Sequence, residues 1–247
     1  NDLNGDGDKD AGEPGLLNWT INSSSASGTL TAITDVNGNY MFSNLGPGTY
    51  TLTEVLQAGW TQTSNNPAPI TPLSGQSATG VDFGNFNYGQ ISGTKYEDVN
   101  GSGEDDPGET ELSGWTIYLD TNGNGSPDLG ETSTTTDANG DYVFSNLGPG
   151  TYTIREVQQD GWTQTDPTSA DSTIGGQNDG SYVVVMTSNG NKTQRNFGNR
   201  GNLSINACKY EDSNGTENEG NFTPVSNWNF TLGQTTQNTE NGNCTTF

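Results

Sequence analysis

Apolar and polar residues alternate along short segments of this chain, which is the pattern of half-buried β-strands. The alternation is clear at 115–119 (WTIYL), 142–144 (YVF) and 152–156 (YTIRE), where every second side chain falls on one face. The pairs Asn37-Gly38 and Asn139-Gly140 predict hairpin turns between such strands. No segment shows the period of an amphipathic helix. The pattern therefore predicts an all-β fold of short strands, as in a β-sandwich.

The strand pattern is repeated along the chain. Residues 34–55 (TDVNGNYMFSNLGPGTYTLTEV) match residues 136–157 (TDANGDYVFSNLGPGTYTIREV) without a gap. The repeats divide the chain into a first module at 1–89, which lacks its first strand, a complete second module at 90–203, and the front of a third at 204–247. We expect the chain to be a slice of a longer polypeptide.

Three twelve-residue segments share one pattern of oxygen-bearing side chains, with Gly at position 6 and Glu at position 12. This is the pattern of an EF-hand-type loop, in which side-chain oxygens and one backbone carbonyl surround a calcium ion. Position 7 contributes the carbonyl, from Asp8, Glu104 or Ser126. The predicted ligands are Asp2, Asn4, Asp6, Asp8, Asp10 and Glu13; Asp98, Asn100, Ser102, Glu104, Asp106 and Glu109; and Asp120, Asn122, Asn124, Ser126, Asp128 and Glu131.

Two other interpretations of these loops fit part of the sequence. Ordinary solvated turns would explain their composition, but not the recurring Glu at position 12. The loops at 98–109 and 120–131 are also spaced like those of a dockerin, a helical calcium module. In a dockerin each loop leads into a helix, whereas here the strand at 114–119 follows the first loop. The sequence therefore predicts about three calcium sites on a β scaffold.

The composition restricts the partners of this chain. Its formal net charge is −23, with 7 Lys and Arg against 30 Asp and Glu. This balance excludes nucleic acid as a partner, because phosphate contacts need basic side chains. No stretch is apolar enough for insertion into a membrane. Only 27% of the residues are hydrophobic, which raises the alternative of disorder, but regularly spaced aromatic residues argue against it.

Four stretches resemble the SdrD B-like domain of bacterial surface proteins, which belongs with the Cna-B sandwiches. They are ISGTKYEDVNGSGEDD, SGWTIYLDTNGNG, TDANGDYVFSNLGPGTYTIREVQQDGWTQT and NFGN. The resemblance implies tandem Greek-key, prealbumin-like β-sandwich modules strung as a stalk, with calcium between strands. It also implies an extracellular location, either on the cell surface or in a secreted filament.

Cna-B domains often carry an intramolecular isopeptide bond between Lys and Asn that a Glu assists. The positions that resemble this motif are Lys95, Glu156 and Asn196. Burial would supply a neutral amine and a protonated acid, and Glu156 shares a strand face with Ile154. Asn196 has parity opposite to Phe197, so that both point inward only if the strand is bulged. The alternative is an ordinary salt bridge between Lys95 and Glu156.

Other residues are assigned structural roles. Cys208 and Cys244 are the two cysteines, and in an extracellular protein a disulfide between them is expected. Trp19, Trp115 and Trp228 are expected in the core. The linker at 86–90 (FNYGQ) is short and aromatic, so we expect it to pack at the junction between modules.

Together these features predict a structural stalk or filament segment and not an enzyme. Its partners would be neighbouring modules of the same chain, or other copies in a filament in which one subunit supplies a strand to the next. The alternatives are an adhesin module that binds a ligand itself and a spacer beside a secreted catalytic domain.

Overall fold

The computed structural model describes residues 1–168, 171, 173, 175–204, 206–212, 222–224, 229–232, 235–238 and 245–246. The chain forms two compact units, residues 1–200 and 201–247. The first unit contains the first predicted module and residues 90–200 of the second, so the division at 89 and 203 stays a prediction. No helix in the described part of the chain is long and apolar enough to cross a bilayer.

The first module contains five strands in two sheets. Strands β1 (Thr20–Ser25), β2 (Gly28–Ile33) and β3 (Thr51–Glu54) form an antiparallel sheet in the order β2-β1-β3. Strands β4 (Trp60–Gln62) and β5 (Asn85–Asn87) pair with each other.

The second module is a sandwich of two sheets. Its strands are β6 (Gly89–Glu97), β7 (Thr110–Glu111), β8 (Thr116–Leu119), β9 (Ser133–Thr135), β10 (Asp141–Leu147), β11 (Gly150–Glu156), β12 (Trp162–Asp166), β13 (Tyr182–Met186), β14 (Asn191–Lys192) and β15 (Phe197–Gly201). One sheet has the order β10-β6-β15-β12, with β7 and β14 also paired to β6, and the other has the order β13-β11-β8-β9. Apolar side chains from both sheets form one buried core, including Ile91, Ile117, Ile154, Tyr182 and Phe197.

The second unit contains three strand pairs among its described residues. These are β16 (Asn206–Ala207) with β21 (Thr245–Thr246), β17 (Tyr210–Asp212) with β18 (Phe222–Pro224), and β19 (Asn229–Leu232) with β20 (Thr235–Asn238). Trp228 and Cys244 lie outside the described residues. The disulfide between Cys208 and Cys244 therefore stays a prediction.

The strand predictions at 142–144 and 152–156 are confirmed, since β10 and β11 cover them, and the prediction at 115–119 is confirmed from Thr116 onward by β8. Trp19 and Trp115 are each 3% exposed, which confirms their place in the core. Each of these two tryptophans packs against a second tryptophan of its own module, a contact that the sequence does not predict. Trp60 stands edge-on to Trp19 with ring centroids 5.2 Å apart, and Trp162 stands edge-on to Trp115 at 5.7 Å.

The predicted hairpins at Asn37-Gly38 and Asn139-Gly140 are both wrong. After β2 the next strand is β3, which pairs with β1, so Asn37-Gly38 joins no strand pair. The strands on either side of Asn139-Gly140 belong to different sheets. Strand β9 pairs with β8, whereas β10 pairs with β6, so the turn crosses from one sheet to the other. The side chain of Asp137 holds it, because its Oδ1 accepts hydrogen bonds from the backbone N–H groups of Asn139 (2.8 Å) and Asp141 (3.0 Å). Gly140 takes a φ of +71°, which glycine adopts at little cost.

The junction between the first two modules is packed, as the linker sequence predicts. Phe86 of β5 is fully buried and belongs to the core of the second sandwich. The Ser188 N–H donates to the Leu3 carbonyl at 3.0 Å, and the Ser188 hydroxyl donates to Asn1 Oδ1 at 2.7 Å. The acidic loop at 2–13 therefore contacts the β13–β14 turn of the next module directly.

Nearly identical sequences take different structures in the two modules. Residues 141–147 (DYVFSNL) form β10, whereas residues 39–45 (NYMFSNL) form no strand. Tyr142 and Phe144 are each 3% exposed, while Tyr40 and Phe42 are only partly buried. The difference follows from β6, which pairs with β10 in the second module and has no counterpart among residues 1–88.

Candidate functional site

The three acidic loops fold in the same way. In each, the carboxylate at position 1 accepts backbone N–H groups from positions 4 and 6. For Asp98 these donors are Gly101 (2.6 Å) and Gly103 (2.8 Å), and the same pair of contacts recurs at Asp2 and Asp120. The glycines at position 6 all take positive φ: 87° at Gly7, 76° at Gly103 and 73° at Gly125.

The Glu at position 12 closes each loop. One oxygen of Glu109 accepts from Val99 N–H (2.8 Å) and the other from Asp106 N–H (3.1 Å). The same two contacts are made by Glu13 and by Glu131. The recurring Glu thus ties position 2 to position 9, which is a physical reason for its presence in all three loops.

The first carboxylate of each loop is buried and held ionised. Asp2, Asp98 and Asp120 are 1%, 0% and 4% exposed. Burial alone would raise the pKa of Asp98, but hydrogen bonds from Gly103, Thr165, Ser102 and Gly101 together lower the pKa below its ordinary value. At Asp120 the loop glycines and Arg155, whose Nε lies 2.9 Å from Asp120 Oδ2, lower the pKa in the same way.

The loops fit calcium in their donor chemistry, though not in the present orientation of every side chain. Asn100 donates its amide N–H to Asp106 Oδ2 at 2.8 Å, and Asn122 does the same to Asp128 at 2.7 Å. Among the described residues no group of three or more His, Cys, Asp or Glu side chains converges closely enough to hold a metal ion. Turning the two amides over would present Oδ1 in place of Nδ2, which is the ligand atom that calcium takes.

A buried polar trio lies between the two sheets of the second module. Lys95 is fully buried on β6, and its Nζ donates to Asn199 Oδ1 on β15 at 2.5 Å. Asn199, also fully buried, donates from Nδ2 to Glu156 Oε1 on β11 at 2.7 Å. Glu156 Oε2 lies 3.4 Å from Lys95 Nζ, and the ring of Trp115 covers the amine at 4.4 Å.

Burial shifts both ionisable members of the trio toward their neutral forms. It lowers the pKa of Lys95 to about 8, against the opposing charge of Glu156. It likewise raises the pKa of Glu156 above its ordinary value, although Lys95 and Asn199 oppose this. The site therefore brings an amine, an amide carbonyl and a carboxyl group into mutual contact, and it shifts both ionisable groups toward the neutral forms that amide exchange requires.

The amide in this trio is Asn199, three residues beyond the predicted Asn196. Asn196 is only partly buried, and its Oδ1 accepts from the Thr94 N–H at 3.0 Å. Phe197 and Asn199 share a strand face, and both are fully buried. Strand parity therefore carried the signal: the inward-facing Phe197 implies an inward-facing Asn199 without any bulge.

A second buried carboxyl near the trio was missed in the sequence. Asp166 is 5% exposed at the end of β12, and its Oδ2 accepts from the Tyr96 hydroxyl at 3.1 Å. Burial, together with the neighbouring Asp171, raises the pKa of Asp166 to about 8. Nothing in the local sequence distinguishes Asp166 from the many exposed acids of this chain.

Comparison with known proteins identifies the family of this chain. The model of the SdrD B-like domain matches residues 1–73 and 89–206, which include the acidic loops and the trio. The chain belongs to the SdrD B-like domain family. The strand order described above gives this SdrD B-like chain an all-β sandwich fold.

Curated relatives of this SdrD B-like chain include two staphylococcal proteins. Serine-aspartate repeat-containing protein D of Staphylococcus aureus (strain Newman) is 30% identical over 189 residues, or 70% of this chain. Serine-aspartate repeat-containing protein F of Staphylococcus epidermidis (strain ATCC 12228) is 34% identical over 179 residues, or 66% of this chain. The aligned part spans only 14% and 11% of these relatives.

Solved structures similar to this SdrD B-like chain are more distant. The TIE protein of Bacillus anthracis is 17% identical, with a TM-score of 0.37, over 96% of this chain and 41% of its own. GBS52, the minor pilin of Streptococcus agalactiae, is 15% identical, with a TM-score of 0.31, over 77% of this chain and 85% of its own.

Proposed function

We propose that this chain is a structural segment of a bacterial surface protein, in which successive sandwiches form a stiff extracellular stalk. The observation that carries the proposal is the packed junction. Phe86 lies in the last strand of the first module, and its side chain is part of the buried core of the second. A flexible tether would leave the modules free to reorient, whereas this junction buries an aromatic side chain. The similarity to staphylococcal serine-aspartate repeat-containing proteins, together with membership in the SdrD B-like domain family, supports the surface location.

Calcium would stiffen the stalk through the three acidic loops. The loop at 2–13 would hold the ion with Asp2, Asn4, Asp6, Asp10, Glu13 and the carbonyl of Asp8, and the loops at 98–109 and 120–131 with the corresponding residues. The first loop contacts Ser188 of the next module, so ordering this loop would also order the junction. Cations would in addition offset the self-repulsion of a chain with a net charge of −23.

An isopeptide bond between Lys95 and Asn199 would lock the second module. The neutral Nζ would attack Cγ of Asn199 and form a new C–N bond. The bond from Cγ to Nδ2 would break, and the amide nitrogen would leave as ammonia. Glu156, which contacts both nitrogens, would carry the proton from the amine to the leaving group. The reaction would occur once in each molecule, so it is maturation and not turnover.

Small-angle X-ray scattering on the full chain tests the stalk. In millimolar calcium a stiff rod should give one well-defined maximum dimension. Removal of the calcium by a chelator should change the scattering profile. A matched variant, Phe86→Ala, removes the aromatic contact at the junction while leaving the acidic loops intact. We expect this variant to scatter as a broader ensemble in calcium. Identical profiles for the wild type and Phe86→Ala would contradict the proposal.

A further inference from the structure

Arg155 on β11 ties the acidic loop at 120–131 to the turn before β13. Its Nε lies 2.9 Å from Asp120 Oδ2, and its Nη2 lies 2.6 Å from Asp179 Oδ2. Its Nη1 also donates to the Asp179 carbonyl at 3.2 Å. The Asp120 side chain is fully buried and the Arg155 side chain is 18% exposed, so salt screens this ion pair less than a surface pair. The guanidinium is therefore fixed against the first predicted ligand of the loop.

The other two acidic loops have a neutral residue at the corresponding place. Thr63 lies against Asp2, and Thr165 lies against Asp98. Among the described residues, no salt bridge joins either of these carboxylates to a basic side chain. In the part of the chain that the structure describes, the loop at 120–131 is thus the one whose first carboxylate pairs with a cation.

Arg155 and the loop at 120–131 occur together in the second module. Residues 34–55 match residues 136–157, and in this match Thr53 stands where the second module has Arg155. The first module also lacks the loop, because residues 26–27 alone join β1 to β2. The arginine is therefore found in the module that has the loop it contacts.

The loops at 98–109 and 120–131 allow a direct comparison of charge. The loop at 98–109 has two further acids, Glu104 and Asp105, whereas the loop at 120–131 has no other charged side chain. The affinity of such loops for calcium depends on the charge of their ligands, and a fixed positive charge on Asp120 opposes a second cation at the same carboxylate. Each loop has three carboxylates among its predicted ligands: Asp98, Asp106 and Glu109 in the one, and Asp120, Asp128 and Glu131 in the other.

We propose that Arg155 is a built-in counter-ion of the loop at 120–131, which sets the calcium affinity of this loop below that of the loop at 98–109. The Asp120 carboxylate already accepts the N–H groups of Gly123 and Gly125, and Arg155 supplies the charge that offsets its burial. The two loops of the second module would then fill at different calcium concentrations. This inference rests on the calcium role proposed for the three loops.

Amide NMR signals of the full chain follow each loop separately during a titration with calcium chloride. The N–H groups of Gly103 and Gly125 donate to the first carboxylate of their loops, so their chemical shifts respond when that carboxylate binds an ion. In the wild type, Gly103 should respond at a lower calcium concentration than Gly125. In Arg155→Thr, which introduces the residue that the first module has at this position, Gly125 should respond at a calcium concentration about 10-fold lower. The response of Gly103 should stay unchanged.

Arg200→Thr is the matched control, because it removes the same charge close to the other loop. Arg200 lies beside Gly101, but it is exposed, and among the described residues it forms no salt bridge. Its loss should shift neither response by more than about twofold. If Arg200→Thr shifted the response of Gly125 as far as Arg155→Thr does, the effect would be one of net charge, and the inference would be wrong.

Three further results would overturn the inference, and they differ in what they leave standing. A wild-type Gly125 that responds at the same calcium concentration as Gly103, or at a lower one, contradicts it without any variant. An unchanged or weaker response of Gly125 in Arg155→Thr would mean that Arg155 only orients Asp120. In both cases the calcium role of the loop at 98–109 stands. If neither glycine responds in the wild type, that proposed role fails together with the inference.

Discussion

The Nζ atom of Lys95 lies 2.5 Å from Oδ1 of Asn199, and solvent reaches neither side chain. The two residues lie on β6 and β15, adjacent parallel strands that are about a hundred residues apart in sequence. Glu156 reaches the pair from the opposite sheet. The contact therefore connects the two ends of the second module and both of its layers at a single point.

Intact mass distinguishes the two asparagines. The wild-type chain should weigh one ammonia less than its sequence, and Asn199→Ala should restore the full mass expected for that variant. Asn196→Ala is the matched control, because the Asn196 side chain accepts a hydrogen bond from Thr94, whereas Lys95 donates to Asn199. It should keep the mass deficit. A deficit that disappears in Asn196→Ala and persists in Asn199→Ala would contradict the assignment.

Replacing Lys95 should lower the free energy of unfolding, because Glu156 stays buried without its partner. Breaking such a pair, as in Lys95→Met, costs roughly 3–5 kcal/mol of unfolding free energy. Burial already raises the pKa of Glu156, so the folded variant binds a proton that the unfolded chain releases. Its stability should therefore fall as pH rises above the ordinary carboxyl range.

Denaturant unfolding curves of Lys95→Met at acid and at neutral pH measure this dependence of stability on pH. The double variant Lys95→Met with Glu156→Gln is the matched control, since neither variant can form the cross-link. It should recover stability at neutral pH and lose the pH dependence. Equal stability of the two variants at neutral pH would mean that Glu156 is not effectively desolvated.

Calcium should raise the melting temperature of the chain. Extracellular sites typically bind calcium with a Kd of roughly 10⁻⁴–10⁻³ M, so each would contribute on the order of 1 kcal/mol at millimolar calcium. Glu109→Gln should reduce the difference between melts in calcium and in chelator, because it removes the closing carboxylate of one loop. Glu111→Gln removes an equal charge from the exposed strand β7 just outside this loop, and should leave that difference unchanged.

Asp166→Asn should stabilise the chain at neutral pH. The pKa of Asp166 is raised from an ordinary 3.8 to about 8, so the folded state holds a proton that the unfolded state loses between these values. Wild-type stability therefore falls over this pH range, and the substitution should recover on the order of a few kcal/mol above it. The asparagine Oδ1 can still accept from Tyr96.

Melts of Asp166→Asn at pH values below and above this range measure the gain. Asp160→Asn makes the same charge change at an exposed turn and should have little effect. A gain that is the same at both ends of the range would show that Asp166 ionises normally in the folded chain.

Local patterns in the sequence predicted the strands, but not how the strands associate. The alternation at 115–119 and 152–156 correctly gives β8 and β11, because a strand half-buried in a sandwich needs one apolar face. The turn residues Asn139-Gly140 predict a hairpin, whereas β9 and β10 lie in different sheets. Turn chemistry fixes a local reversal of the chain and carries no information about the sheet that each strand joins.

The two FSNL segments show the same limit more sharply. Residues 39–45 and 141–147 have nearly the same propensities, and only the second segment is a strand. The determinant is β6, which is remote in sequence. The selection of Asn196 in place of Asn199 as the asparagine of the trio has a different cause. It followed the family motif, whereas strand parity favours Asn199.

The parallel register of β6 and β15 determines how tension would pass through the second module. Gly89 starts β6 and Gly201 ends β15, so a pull on the chain at these points slides two neighbouring strands past each other. Their hydrogen bonds are then loaded together in shear and not opened one after another. A bond between Lys95 and Asn199 would lie directly on this line of force, and the residues between them would carry almost none of the load.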